Sequence, residues 1–228
     1  MQLIQTDADV ETGLRALLRK DPRLAAVLSE AGPIPLRRTS PGFAGLASII
    51  VSQMISKASA AAIWARMEAR MGEVTAMAVA QSSEAESRAD GLSRAKRLTL
   101  AGLAEAVLAE RIDLVALCTL DAPAAVERLC ALPGIGPWTA EVYLLSCAGH
   151  ADIFPSGDVA LQAAVAHALA LPARPDRKAM AVLAEDWAPW RSVAARLFWA
   201  YYAVGMRRSG APQPAVSSLS SGAKKPMQ

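Results

Sequence analysis

Apolar residues in this chain recur at intervals of three and four and almost nowhere alternate with polar ones. That spacing lays side chains along one face of a helix, whereas a half-buried strand needs a period of two. Valine and isoleucine are sparse beside alanine and leucine, so the β-branched residues that favour a sheet are scarce too. An all-α fold is expected. At 228 residues, with 53% hydrophobic and 20% charged side chains, the chain can bury one sizeable core, or two small lobes sharing an interface.

Thr6 or Asp7 is placed to cap a first helix with Val10, Leu14, Leu17 and Leu18 on one face. Asp21-Pro22 reads as a second start, with proline at the first helical position. Residues 31–41 hold three prolines and two arginines and read as a linker. From about Phe43 to Arg70 the spacing predicts one long alanine-rich helix through Ala47, Ile50, Val51, Met54, Ala58, Ala62 and Ala65. Ser93 is placed to cap a helix reaching about Glu110, and Asp121 another carrying Val126 and Leu129. Further helices are expected from Pro137 to about Ala148, from Asp158 onward, and from Trp190 or Arg191 to about Arg207. Residues 209–228 are rich in serine, glycine, alanine and proline. They are expected to form a disordered tail, leaving 1–208 as the folded part.

The formal charge is +3, but Lys224 and Lys225 lie in that tail, and without it 22 basic residues face 21 acidic ones. Bulk charge therefore does not announce a nucleic-acid partner, and any electrostatic footprint must be local. Cys118, Cys130 and Cys147 lack metal-ligand spacing and fit buried thiols in a reducing compartment. His150 and His167 are too isolated to suggest a metal site or a general base. Charges break the apolar runs well short of the roughly 20 residues that cross a bilayer, and no signal-peptide pattern opens the chain. A cytoplasmic protein with no membrane partner and no bound metal is expected.

One string stands out: Leu132-Pro133-Gly134-Ile135-Gly136-Pro137-Trp138-Thr139-Ala140, between two expected helices. The glycines let the chain reverse, and Pro137 suits the first helical turn, where its missing N–H does no harm. Such a turn exposes backbone N–H groups and a helix N-terminus, which suit a phosphate oxygen. A lone Gly-x-Gly is most often an ordinary helix–helix corner; the full string is far more specific. Twenty residues after Trp138, Asp158 follows Gly157 at an expected helix start. An N-cap alone would account for it, and the positive end of the helix favours a carboxylate there. Yet a carboxylate near a phosphate-binding turn repels the ligand, and that repulsion is tolerated mainly where the acid does chemistry.

The string closely resembles the helix-hairpin-helix element of the base-excision DNA glycosylases, a superfamily whose hairpin is followed by a Gly/Pro-rich loop ending in an aspartate. Four further segments resemble it in the right order: Ile50 to Ser56, Gly91 to Lys96, Ala151 to Asp158, and Trp187 to Ser192. The branch they resemble is DNA-3-methyladenine glycosylase II. The resemblance implies two helical lobes around a cleft. Because the resemblance begins near residue 43, it implies a version lacking an N-terminal β domain. Asp158 would be the catalytic carboxylate, stabilising the oxocarbenium character that develops as the N-glycosidic bond breaks and orienting or deprotonating water. Asp152 fits a structural role in the loop better. Gly134, Ile135, Gly136 and Thr139 would hold a DNA phosphate. No cofactor is implied beyond a monovalent cation on the hairpin carbonyls. Gln53 and Met54 would face the lesion, Met54 as the wedge that fills the place of a flipped base.

Trp187, Trp190, Phe198, Trp199, Tyr201 and Tyr202 crowd into sixteen positions. Trp138 and Trp190, each at a helix start, are the base-pocket candidates, because electron-rich rings suit a cationic alkylated purine. Arg94, Lys96 and Arg97 could contact phosphates. Superfamily members that also cut the strand carry a lysine where Trp138 stands here, and without an amine no Schiff base forms. Their four-cysteine cluster motif is absent as well. The resemblance thus implies a monomeric, monofunctional enzyme that acts on double-stranded DNA containing alkylated purines and leaves an abasic site. The alternatives are a glycosylase for another lesion class and a non-catalytic hairpin module that binds DNA.

Overall fold

The computed structural model describes residues 2–208. The tail expected from Ser209 onward lies outside the described residues. Within them the chain forms α1 (Asp7–Lys20), α2 (Leu24–Ala31), α3 (Phe43–Ser52), α4 (Lys57–Met71), α5 (Ala76–Gln81), α6 (Glu84–Ala89) and α7 (Arg94–Leu108). There follow α8 (Ala122–Cys130), α9 (Pro137–Tyr143), α10 (Val159–Ala168), α11 (Arg177–Glu185) and α12 (Arg191–Arg208). A 3₁₀ turn at Ala116–Thr119 precedes α8, and a π-helical turn at Leu144–Ala148 extends α9. Among the described residues there is no strand, only an isolated bridge between Leu3 and His150. The fold is all-α, as expected.

Local chemistry sets most helix starts. Thr6 caps α1 through a reciprocal capping box with Asp9. Ser93, Asp121 and Asp158 cap α7, α8 and α10, each accepting a backbone N–H three residues on. Asp21-Pro22, by contrast, does not open α2, which begins at Leu24. Asp21 is instead a buried carboxylate bonded to Arg23 (2.8 Å) and to the Trp187 indole N–H (3.2 Å). The single long helix expected over 43–70 is two helices, α3 and α4, separated by a turn at residues 53–56. Helices α5, α6 and α11 were not expected. Thr75, Ser83 and Asp176 cap them by the same chemistry, but six to nine residues are too few to display a helical period.

The helices sort into two groups. In one, α1, α2 and α10 pack on α12; in the other, α3 packs on α4, α7 and α9, with α5 and α6 against α7 and α8 against α9. The two ends of the described chain therefore build one lobe and its middle the other. Arg196 of α12 ties the lobes together: it is 5% exposed and donates to the carbonyls of Leu36 and Leu145. Arg38 does the same at Cys147 (2.7 Å). Leu145 and Cys147 belong to the π-helical turn, whose free carbonyls form the negative end of a helix and favour cations.

Candidate active site

The hairpin between α8 and α9 is built for close approach. Gly134 has φ +82°, a left-handed conformation that glycine alone adopts without strain. A Cβ added there would lie 2.0 Å from Thr99 Oγ1 on α7, so the hairpin backbone rests directly on that side chain. Ile135 anchors the turn with a side chain 4% exposed. Its N–H already donates to the Leu132 carbonyl (3.1 Å), which corrects its expected place among the phosphate-holding amides. The N–H groups of Gly134, Gly136, Trp138 and Thr139 have no partner among the described residues. They gather where Gly136 caps α9 and Pro137 opens it, at the positive end of a helix.

Asp158 caps the N-terminus of α10, and its two carboxylate oxygens face different lobes. Oδ1 accepts the Leu161 N–H (2.9 Å), and Oδ2 accepts the Trp138 indole N–H (2.8 Å) from α9. An acid from one lobe is thereby oriented by a ring from the other. The loop that delivers it is pinned to α12. Ile153 N–H donates to Ser192 Oγ (3.1 Å), the Ser192 hydroxyl donates back to the Ile153 carbonyl (2.9 Å), and Asp152 receives Arg191 in a two-pronged pair (2.7 and 2.9 Å). Gln162 of α10 donates to the Ser156 carbonyl (2.8 Å) from inside. Asp152 has the structural role expected of it. Each carboxylate oxygen of Asp158 has one partner, which leaves lone pairs for a ligand.

Across the hairpin lies the turn between α3 and α4. Gln53 donates from Nε2 to Thr139 Oγ1 (2.8 Å), and Thr139 is 2% exposed. Its side chain therefore braces Gln53 rather than reaching outward, which leaves the backbone N–H as the group Thr139 can offer a ligand. Next to it Met54 sits at φ +59°, with 89% of its surface exposed. A methionine both strained and bared to solvent is not a core residue.

Trp190, expected beside Trp138, lies against α1, where a Cβ on Gly13 would come within 2.7 Å of its ring. It serves the packing of α12 on α1. Two of the three cations expected to meet phosphates are occupied inside the fold: Lys96 donates to the Val51 carbonyl (2.7 Å), and Arg97 binds the Leu92 carbonyl and Glu84 (both 2.9 Å). The sequence reading missed Glu141. Its Oε2 is buried without a hydrogen-bond partner, and it lines a cavity of about 550 Å³ with Asp152, Arg177, Lys178 and Arg191. Burial pushes its carboxyl up to about 7, against the pull of Arg177. The signal was a lone acid in the otherwise uncharged run from Pro137 to Gly149.

Residues 47–189 match the HhH-GPD superfamily of base excision DNA repair proteins. The chain is 32% identical over 208 residues to the probable bifunctional transcriptional activator/DNA repair enzyme AlkA of Mycobacterium tuberculosis, a match covering 87% of this chain and 41% of that protein. It spans less than half the length of that relative. Among solved structures it is similar to a Schizosaccharomyces pombe 3-methyladenine DNA glycosylase in complex with abasic DNA (TM-score 0.76, 25% identity, 84% of this chain and 95% of that one). It is also similar to a DNA-3-methyladenine glycosidase from Bacillus halodurans (TM-score 0.72, 28% identity, 92% and 95%). The extent of these matches and the helical architecture agree: the chain belongs to the HhH-GPD superfamily of base excision DNA repair proteins.

Proposed function

We propose that the protein is a monofunctional DNA glycosylase that hydrolyses the N-glycosidic bond of alkylated purines of the 3-methyladenine and 7-methylguanine type and leaves an abasic site. The observation that carries this reading is the Asp158 carboxylate, held between the α10 amide and the Trp138 indole at the junction of the lobes. Its free lone pairs would face the sugar. As the bond to the base lengthens, positive charge spreads over C1′ and the ring oxygen, and a fixed carboxylate stabilises it. The same group accepts the proton of the water that attacks C1′. A cationic base leaves neutral and needs no acid, so one carboxylate suffices. Trp138 offers an indole rather than an amine, so no Schiff base forms and the strand stays intact. The free hairpin amides would take a phosphate near the lesion, with a monovalent cation on the hairpin carbonyls, and Met54 would occupy the vacated stack. The reading is of a monomer on double-stranded DNA, in the cytoplasm. The similarity to the two 3-methyladenine glycosylase structures supports the choice of lesion.

Single-turnover release from duplexes containing 3-methyladenine or 7-methylguanine tests it. Wild type should release the base, with strand cutting only after alkali. Asp158→Asn should be slower by at least about a hundredfold, close to 2.7 kcal/mol of barrier, while keeping its affinity for an abasic-site analogue. Binding without release by wild type would shift the reading to another lesion class.

A further inference from the structure

We infer that α7 is a brace between the wedge turn and the hairpin, with Lys96 as a positioning residue that keeps Met54 ready to enter the duplex. The inference rests on the glycosylase reading above.

Helix α3 ends at Ser52, where Gln53 leaves the helical conformation (φ −55°, ψ 130°) and Met54 turns to φ +59°. Breaking the helix there frees the carbonyls of its last turn, which the apolar spacing would otherwise have carried on bonding. The Lys96 ammonium donates to one of them, Val51 O, at 2.7 Å. Lys96 is 9% exposed and has no carboxylate within ion-pair distance among the described residues. A buried ammonium is unfavourable unless something specific needs it, and here the negative end of α3 supplies the partner. One turn further along the same face, Thr99 lies beneath Gly134. A single face of α7 thus touches the base of the wedge turn through Lys96 and the hairpin through Thr99. The Gln53–Thr139 hydrogen bond closes the third side (2.8 Å). In this arrangement the ammonium replaces the missing helical N–H, so the α3 end stays broken and Met54 keeps its position relative to the hairpin. Extrusion of the base then meets a wedge already in place, rather than one that must be ordered first.

Lys96→Met removes the donor and keeps an unbranched apolar chain one atom shorter, and Lys96→Arg restores a donor. Each is assayed for single-turnover release from two duplexes, one with the alkylated purine paired normally and one with it opposite an abasic site, where the base has no pairing partner and is extruded at lower cost. The brace predicts at least a tenfold loss in Lys96→Met on the paired lesion and less than a threefold loss on the unpaired one. Lys96→Arg should recover most of the rate. Met54→Ala should show the same bias, and the double variant should lose little more than either alone. Equal losses on both duplexes, or no loss on either, overturn the brace. If Lys96→Met fails to fold, Lys96→Gln, whose amide is too short to reach Val51 O, takes its place with the same criteria. Wild type that releases nothing from either duplex overturns the alkylated-purine reading and the brace that rests on it, an outcome the variants cannot mimic.

Discussion

Trp138 and Asp158 act as a unit, since the indole N–H bonds the oxygen that the α10 amide leaves open. Trp138→Phe keeps a ring and removes the donor. Losing a hydrogen bond to a charged group of this kind slows base release by roughly ten- to a hundredfold. Affinity for an abasic-site analogue should barely change, and parallel rate and Kd measurements separate the two. Glu141, three residues along the same helix, bears on stability instead. Its folded-state value of about 7 lies above the ordinary 4.5. The buried neutral acid is therefore fully favourable below about pH 4.5, and the advantage is lost as pH rises through 7, where the fold must hold a carboxylate. Arg177 offsets part of this, while Asp152 is taken up by Arg191. Glu141→Gln should melt like wild type at pH 5 and be more stable at pH 8 by roughly 1–2 kcal/mol once partial solvent access is allowed for. Thermal melts at the two pH values check it.

At the level of elements, the hairpin was legible and the turn between α3 and α4 was not, for reasons visible in their residues. Gly134 at positive φ and Pro137 at the first helical position are local requirements that only certain residues meet. The turn at 53–56 has no such marker. Ala47, Ile50, Val51, Met54 and Ala58 keep a helical spacing straight through it, so periodicity alone predicts continuity. The break depends on partners distant in sequence: Thr139 for Gln53, and Lys96 for Val51. The local hint was Ser56, which caps α4 by accepting the Ser59 N–H (3.1 Å). Trp190 misled for a related reason, because its place at a helix start said nothing of Gly13 opposite it. The Thr139 side chain, expected at the DNA surface, faces inward onto Gln53. The hairpin also yields a prediction. Gly134→Ala adds a methyl into Thr99 and strains a left-handed backbone, worth about 1–2 kcal/mol from the backbone alone. Thermal stability should fall by at least that much. Affinity for an abasic-site duplex should fall at least tenfold at temperatures where the variant remains folded, because the free amides are displaced. Gly134→Ala/Thr99→Ser, which removes the Thr99 methyl but keeps its hydroxyl, should recover little.

At the scale of the described molecule, several cations are engaged within the fold. Arg23, Arg70, Arg97 and Arg191 are held by carboxylates, and Arg38, Arg196 and Lys96 are held by backbone carbonyls. Among the described residues, part of the basic content therefore serves to join helices and lobes rather than to meet a ligand, in a chain whose formal charge is only +3. Two exposed cations lie near the site's elements in sequence, Lys57 after the turn at 53–56 and Arg94 at the start of α7. Hairpin amides attract a phosphate through dipoles that carry no counterions, so their contact releases almost none. Each phosphate neutralised by a lysine or arginine adds about −0.9 to the slope of log K against log salt, and with so few cations in play a slope of roughly −2 to −4 is expected. Anisotropy titrations of an abasic-analogue duplex between about 50 and 300 mM salt measure it. Substituting both Lys57 and Arg94 by methionine should flatten the slope by about 2, while Gly134→Ala should weaken binding with the slope unchanged. A wild-type slope steeper than about −6 would mean that the duplex meets a cationic surface other than the hairpin. The contact through amides and shape would then be secondary to it.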